Sequence, residues 1–270
     1  MTTPSSRHLC FLGLAVVVVT AMLIDYRPEH TPSSDTAGMF NYIDSLPERS
    51  VLLVSFDHEA SSLPEIRPLA LAFLRHAFAR NHRLIGIALL AEGTGIGYGL
   101  MNQVAREYGR EYGRDYVYLG FKPQYIAAIL SMGESIRQTF PEDYTGGAWE
   151  TLPMLDSIHN YGDLAGVISI TDGSMVMHWV EYGNGRYGVS VAAFVAASMI
   201  TTYDPYLGSG QMRAMVGGLR GASEYELLIG RGGSGTRSML AQTSMHLYVL
   251  LLIVIGNVVY FRKRRAGGGT

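Results

Sequence analysis

Cysteine is nearly absent from this chain: Cys10 is the only one, and it lies in an apolar run near the start. The region after that run can form neither disulfides nor a thiolate metal site, so its stability must come from an ordinary packed core. Lysine is almost as scarce. Lys122 is the only one before Lys263 in the tail; arginine carries nearly all the positive charge, and the formal net charge is −2. No basic block precedes the C-terminal tail, which argues against nucleic acid as a partner. Nucleophile motifs are missing as well. There is no Gly-x-Ser-x-Gly elbow, no His-Glu-x-x-His and no cysteine for a base to activate, so acyl-transfer hydrolysis has no support.

Two hydrophobic segments are present, at residues 9–24 and 245–261. The first is uncharged and slightly short for a span, which needs about 20 apolar residues with roughly 17 as the lower end. It ends Met22-Leu23-Ile24-Asp25 without the small-x-small site of a cleaved leader, so it reads as an uncleaved anchor. The second contains Asn257 and runs into Arg262, Lys263, Arg264 and Arg265. A basic cluster directly after a span resists translocation. The reading is a two-pass cell-membrane protein with both termini cytoplasmic and its main domain extracytoplasmic. Residues 1–25 form the first anchor, 26–240 an α/β domain, and 241–270 the second helix and basic tail.

Roughly 210 residues between the segments suffice for one domain. Residues 26–38 have the Pro/Ser/Thr composition of a tether. Short continuous apolar runs at 51–57, 84–90, 116–121, 166–170 and 189–195 read as strands buried on both faces. Helical spacing at 39–46, 64–80, 99–114, 124–139, 153–159, 175–182 and 211–228 fills the intervals. Strands alternating with helices imply parallel pairing with right-handed crossovers. The expected fold is a three-layer, Rossmann-like α/β sandwich with a mainly parallel sheet, flanked by N- and C-terminal transmembrane helices.

Ligands bind such sheets outside the carboxyl ends of the strands. That edge should carry Asp57, His58 and Glu59 after the first strand, Glu92 and Thr94 after the second, Lys122 after the third and Asp172 after the fourth. Acids from separate strands, Asp57 and Asp172 foremost, could hold a hard cation such as Mg²⁺. The same residues also suit caps and turns. His58 stands out because acids flank it at a strand end, whereas His76, His82, His159 and His178 read as packing or capping residues. The run from Gly93 to Gly99 lacks both the dinucleotide and the P-loop spacing. It reads as a flexible crevice loop in which Thr94, Gly95 and Gly97 could meet a ligand's polar end. The period-four repeat Arg106-Glu107-Tyr108-Gly109-Arg110-Glu111-Tyr112-Gly113-Arg114 would stack its arginines in one stripe if helical.

The order of Asp57, Thr94, Lys122 and Asp172 resembles the nucleophile, hydroxyl, lysine and acid series of haloacid-dehalogenase-type phosphatases. That resemblance implies a metal-assisted phosphoryl-type hydrolase, with Glu59 standing where the family has a second Asp. A broader resemblance rests on Ser55-Phe56-Asp57, on Pro205 to Gln211 and on Gly217-Gly218-Leu219-Arg220-Gly221 through Glu226. These segments resemble an uncharacterised family of bacterial membrane proteins with an anchor, an α/β domain and a terminal span. It implies no known activity. The expected role is a membrane-anchored module that binds a solute or partner protein within a membrane complex or homo-oligomer, with the hydrolase as the alternative.

Overall fold

The computed structural model describes residues 6–24 and 31–267. Residues 26–30 of the expected tether lie outside that set. Six strands form one sheet: β1 (Val51–Asp57), β2 (Arg83–Ala88), β3 (Tyr116–Phe121), β4 (Gly166–Thr171), β5 (Val191–Val195) and β6 (Ala214–Gly217). Every pairing is parallel, and the order is β3-β2-β1-β4-β5-β6. This is the doubly wound order, which reverses direction between β1 and β4. The α/β class is therefore as expected.

All seven residues of β1 are buried, because helices cover both sheet faces. Leu52, Val54 and Phe56 point into one core layer. That layer also contains residues of α2 (Ser34–Ser45), α3 (Leu63–Ala79), α4 (Ala91–Glu107) and α10 (Gly218–Leu228). Val51 and Leu53 point into the other layer. It is built from α5 (Tyr125–Glu134), α6 (Ile136–Thr139), α7 (Met175–His178) and α9 (Ile200–Gly208), with the turns among them. A π-helical turn, Trp179–Asn184, carries α7 into α8 (Gly185–Tyr187).

Several expectations are corrected. The tether ends earlier than composition suggests: Ser33 accepts the Thr36 N–H and α2 starts at Ser34 rather than at residue 39. The glycine run is not a loop but the first turns of α4. The period-four stripe does not form, since α4 stops at Glu107 and both Gly109 (φ +61°) and Gly113 (φ +81°) adopt the left-handed conformation. Arg110 instead donates to Asn81 Oδ1 at 2.5 Å and to the Phe78 carbonyl. The helix expected over 124–139 breaks at Ser135, which caps α6 by accepting the Gln138 N–H. The last expected helix begins with a strand, β6, and α9 had no counterpart in the sequence reading.

Two compact units are present. One holds α1 (Ser6–Leu23) and α11 (Ser234–Gly267) from Thr236 onward; the other holds all elements from α2 to α10. Among the described residues one helix, Ser234–Arg265, is long and apolar enough to cross a membrane. The apolar stretch Arg7–Leu23 is shorter, so the structure supports one span by length and composition where two were expected. Within their own unit, α1 and α11 touch. Tyr248 Oη donates to the Cys10 carbonyl at 3.1 Å, and a Cβ on Gly13 would lie 2.2 Å from the Tyr248 hydroxyl. Asn257 donates to Ile253 O at 3.0 Å, one turn back on its own helix.

Candidate functional site

Parallel strands bring all their carboxyl ends to one sheet edge, and the order reverses there between β1 and β4, the place where such folds bind ligands. The register pairs Asp57 with Thr171, so His58 and Asp172 are the first residues past the ends of adjacent strands. Hydrogen bonds tie Asp172 and Glu92 to the Glu59–Ala60 segment after β1, whereas Lys122, after β3, rests on Phe140 instead.

Asp57 is fully buried. Its Oδ1 accepts the Leu89 backbone N–H at 2.7 Å and its Oδ2 the Ser55 hydroxyl at 2.5 Å. The Leu90 amide and the Trp179 indole N–H also favour its charged form, the indole from outside ordinary hydrogen-bond geometry. Burial outweighs these donors and pushes the carboxyl up to about 6. Asp57 thus ties the end of β1 to the segment leading from β2 into α4.

Other carboxylates act in the same way. Asp172 Oδ2 accepts the Glu59 N–H at 3.0 Å, and Glu92 Oε2 accepts the Ala60 N–H at 2.9 Å. Glu65, which the sequence reading passed over, accepts the Ala197 N–H at 2.8 Å. Its only signal was an acid in the first turn of the helix after β1. Backbone amides at the starts of helices are where such folds hold phosphate. Here the chain's own carboxylates occupy amides beside β1, β2 and β5.

His58 is fully buried beside this set. Its Nδ1 lies 3.2 Å from the Glu59 carbonyl, which can only accept, so the ring proton belongs on Nδ1. Nε2 then carries a lone pair, and it is buried without a hydrogen-bond partner. Burial lowers the ring's pKa, while the charges of Asp172 and Glu92 pull it upward. Thr94 Oγ1 is also buried and unpartnered.

Helix α4 owes its seat to two glycines. A Cβ on Gly93 would come within 1.9 Å of the Phe56 carbonyl oxygen, and one on Gly97 within 2.6 Å of the Phe56 ring and 2.8 Å of Tyr118 Oη. Gly97 is therefore a packing residue inside the core. Gly95 lies on the helix's outer side with nothing within 4 Å of a Cβ.

Lys122 bonds Ala88 O through its backbone N–H at 3.0 Å, and its ammonium rests 5.9 Å over the Phe140 ring. No ion pair joins it to an acid among the described residues. No group of three or more His, Cys, Asp or Glu among those residues is arranged to hold a metal ion. At this edge Glu59 and Glu92 are exposed and Asp172 is half-buried. Compared with known proteins, the chain matches no family model and no curated sequence.

Proposed function

We propose that this protein is a membrane-held α/β module that binds a solute or a partner protein as part of a membrane complex, without phosphoryl chemistry. One observation carries this reading: the amides at the strand ends already have carboxylates from the same chain, at Asp57, Glu65, Glu92 and Asp172. A phosphate would have to displace them against like charge. The would-be nucleophile Asp57 has no exposed surface and both its oxygens are engaged within the fold.

The proposal extends to topology. Helix α11 spans, α1 serves as a second, short span packed on it through Tyr248 and Gly13, and the tail beginning at Arg262 stays cytoplasmic. Both termini then lie inside and the α/β domain outside. Membership of the bacterial two-span family belongs to the same reading.

Purification of the full-length chain from its native membrane in mild detergent, followed by mass measurement with subunit resolution, tests it. A stoichiometric partner or a defined homo-oligomer is expected. A lone monomer, or release of phosphate from a generic phosphomonoester that stops in Asp57→Asn, overturns it.

A further inference from the structure

We propose that the amino-terminal edge of the sheet is a docking surface for the anionic lipid headgroups of the membrane that α11 enters, carried by Arg49, Arg83, Arg114 and Arg213. The inference deepens the membrane-held reading above and rests on α11 being a span.

Each of these arginines lies within two residues of the start of a strand: Arg49 before β1, Arg83 opening β2, Arg114 before β3 and Arg213 before β6. Far apart in the sequence, they are gathered by parallel pairing on the edge opposite to Glu59, Glu92 and Asp172. Arg114, Arg83 and Arg49 mark three adjacent strands, and Arg83 Nε donates to the Arg49 carbonyl at 3.2 Å. Acids on the same edge answer only part of this charge. Asp44 is matched by Arg80 at 2.9 Å, Glu48 accepts from Asn81, and Asp163, before β4, accepts the His159 N–H. Asp115 lies 3.9 Å from Arg49 and Glu111 3.6 Å from Arg114, surface pairs that contribute little. Among the described residues, Arg83 and Arg213 have no ion pair at all.

The path of the chain sets this edge beside the bilayer. A helix after a parallel strand runs back toward the amino edge, and α10 follows β6 in that way. Just past its end, Arg231 meets Glu107 at 3.1 Å and Tyr108 Oη at 3.2 Å, where α4 has also returned. Glu226 then holds the amides of Gly233 and Gly235, where α11 begins. The chain thus leaves the α/β domain from its arginine edge, and Leu227, 38% exposed, adds an apolar contact beside the exit.

Length decides how far away the lipid is. Helix α11 has 34 residues, about 51 Å at 1.5 Å each, against about 40–45 Å for a bilayer with its headgroups. With Arg262 to Arg265 in the inner headgroups, about 6–11 Å remains on the domain side, close to the screening length of about 8 Å at physiological salt. An arginine at that range strengthens attachment to an anionic surface about fivefold. A nucleic acid or an acidic protein would need to be brought to this edge; the bilayer is already there.

The test uses the full-length chain with Cys10→Ser in nanodiscs of phosphatidylcholine, with or without phosphatidylglycerol, each holding an acceptor-labelled lipid headgroup. A donor dye is placed on Ser45→Cys, at the arginine edge, or on Ser174→Cys, at the carboxyl edge; both positions are exposed. Energy transfer from residue 45 should be at least twofold higher in anionic than in neutral discs, and 1 M NaCl should remove the rise. Transfer from residue 174 should not rise. Arg83→Gln combined with Arg213→Gln should abolish the effect, while Lys122→Gln at the carboxyl edge should leave it intact. No rise, a rise that survives both salt and the double variant, or equal loss in Lys122→Gln would overturn the inference. A chain stripped from membranes by alkaline carbonate fails as a span and takes this inference with it. An inserted chain indifferent to lipid charge fails here alone, and one that docks but purifies as a lone monomer fails only the complex reading.

Discussion

The Asp57 carboxylate accepts the Leu89 amide at 2.7 Å, so the last residue of β1 holds the segment that leads from β2 into α4. Its proton affinity is raised in the folded state, to about 6 from an ordinary 3.8. The folded protein then holds this proton more tightly than the unfolded chain does. The associated stability is present below about pH 4, falls as pH rises through 6, and is absent above, a swing of about 3 kcal/mol. Asp57→Asn keeps an acceptor for Leu89 and removes the titration. Urea unfolding of both proteins from pH 4 to 7 should show the wild-type value dropping relative to the variant, and parallel curves would refute the assignment.

His76 works in the opposite direction. Its ring stacks on Phe40 at 4.5 Å, its Nδ1 lies 2.7 Å from Tyr225 Oη, and burial pushes its pKa down to about 4, against an upward pull from Asp44. The unfolded chain takes up this proton near pH 6.5, so stability is present above that pH and is lost as pH falls toward 4. The ring resonances of His76 should stay those of a neutral imidazole down to about pH 5. Between pH 4 and 6 the Asp57 and His76 slopes run in opposite directions, so each is read only against its own variant.

Gly93 and Gly95 should respond oppositely to alanine. At Gly93 the new Cβ meets the Phe56 backbone oxygen, which cannot move aside like a side-chain tip. Lifting α4 off β1 should cost about 3 kcal/mol. At Gly95 the Cβ enters open space on a helix, and the gain should be about 0.5–1 kcal/mol. Thermal unfolding of the two variants is the measurement; equal shifts would count against the packing described.

Glu226, at the end of α10, accepts the N–H groups of Gly233 at 3.0 Å and Gly235 at 2.8 Å, and so caps the start of α11. Glu226→Ala should remove about 1–2 kcal/mol of local protection. Hydrogen exchange at residues 233–235 should quicken by roughly tenfold. Unchanged exchange would mean that these amides have another partner.

Strands buried on both faces announce themselves, and the runs at 51–57 and 116–121 match β1 and β3 residue for residue. Ala214–Gly217 did not, because four residues joined to a helical pattern carry too little periodicity to separate. Glycine misled twice, in opposite senses. The run after β2 looked like a loop, yet close packing on Phe56 makes a helix whose inner side must lack side chains. The repeat after Glu107 looked helical, yet Gly109 and Gly113 turn the chain. The candidate acids were legible as edge residues, since parallel topology fixes where strands end. Their partners were not, since a carboxylate's choice between ligand and backbone amide depends on distances that no spacing encodes; Glu65 and the orientation of His58 are the clearest cases.

The helix that follows β2 also has a comparative consequence. Gly93 and Gly97 face Phe56 and Tyr118, while Gly95 and Gly99 have open space around them. In any set of orthologues gathered around this chain, drift should therefore run with a period of two. The inner pair should stay fixed through descent, and the outer pair should vary freely from species to species.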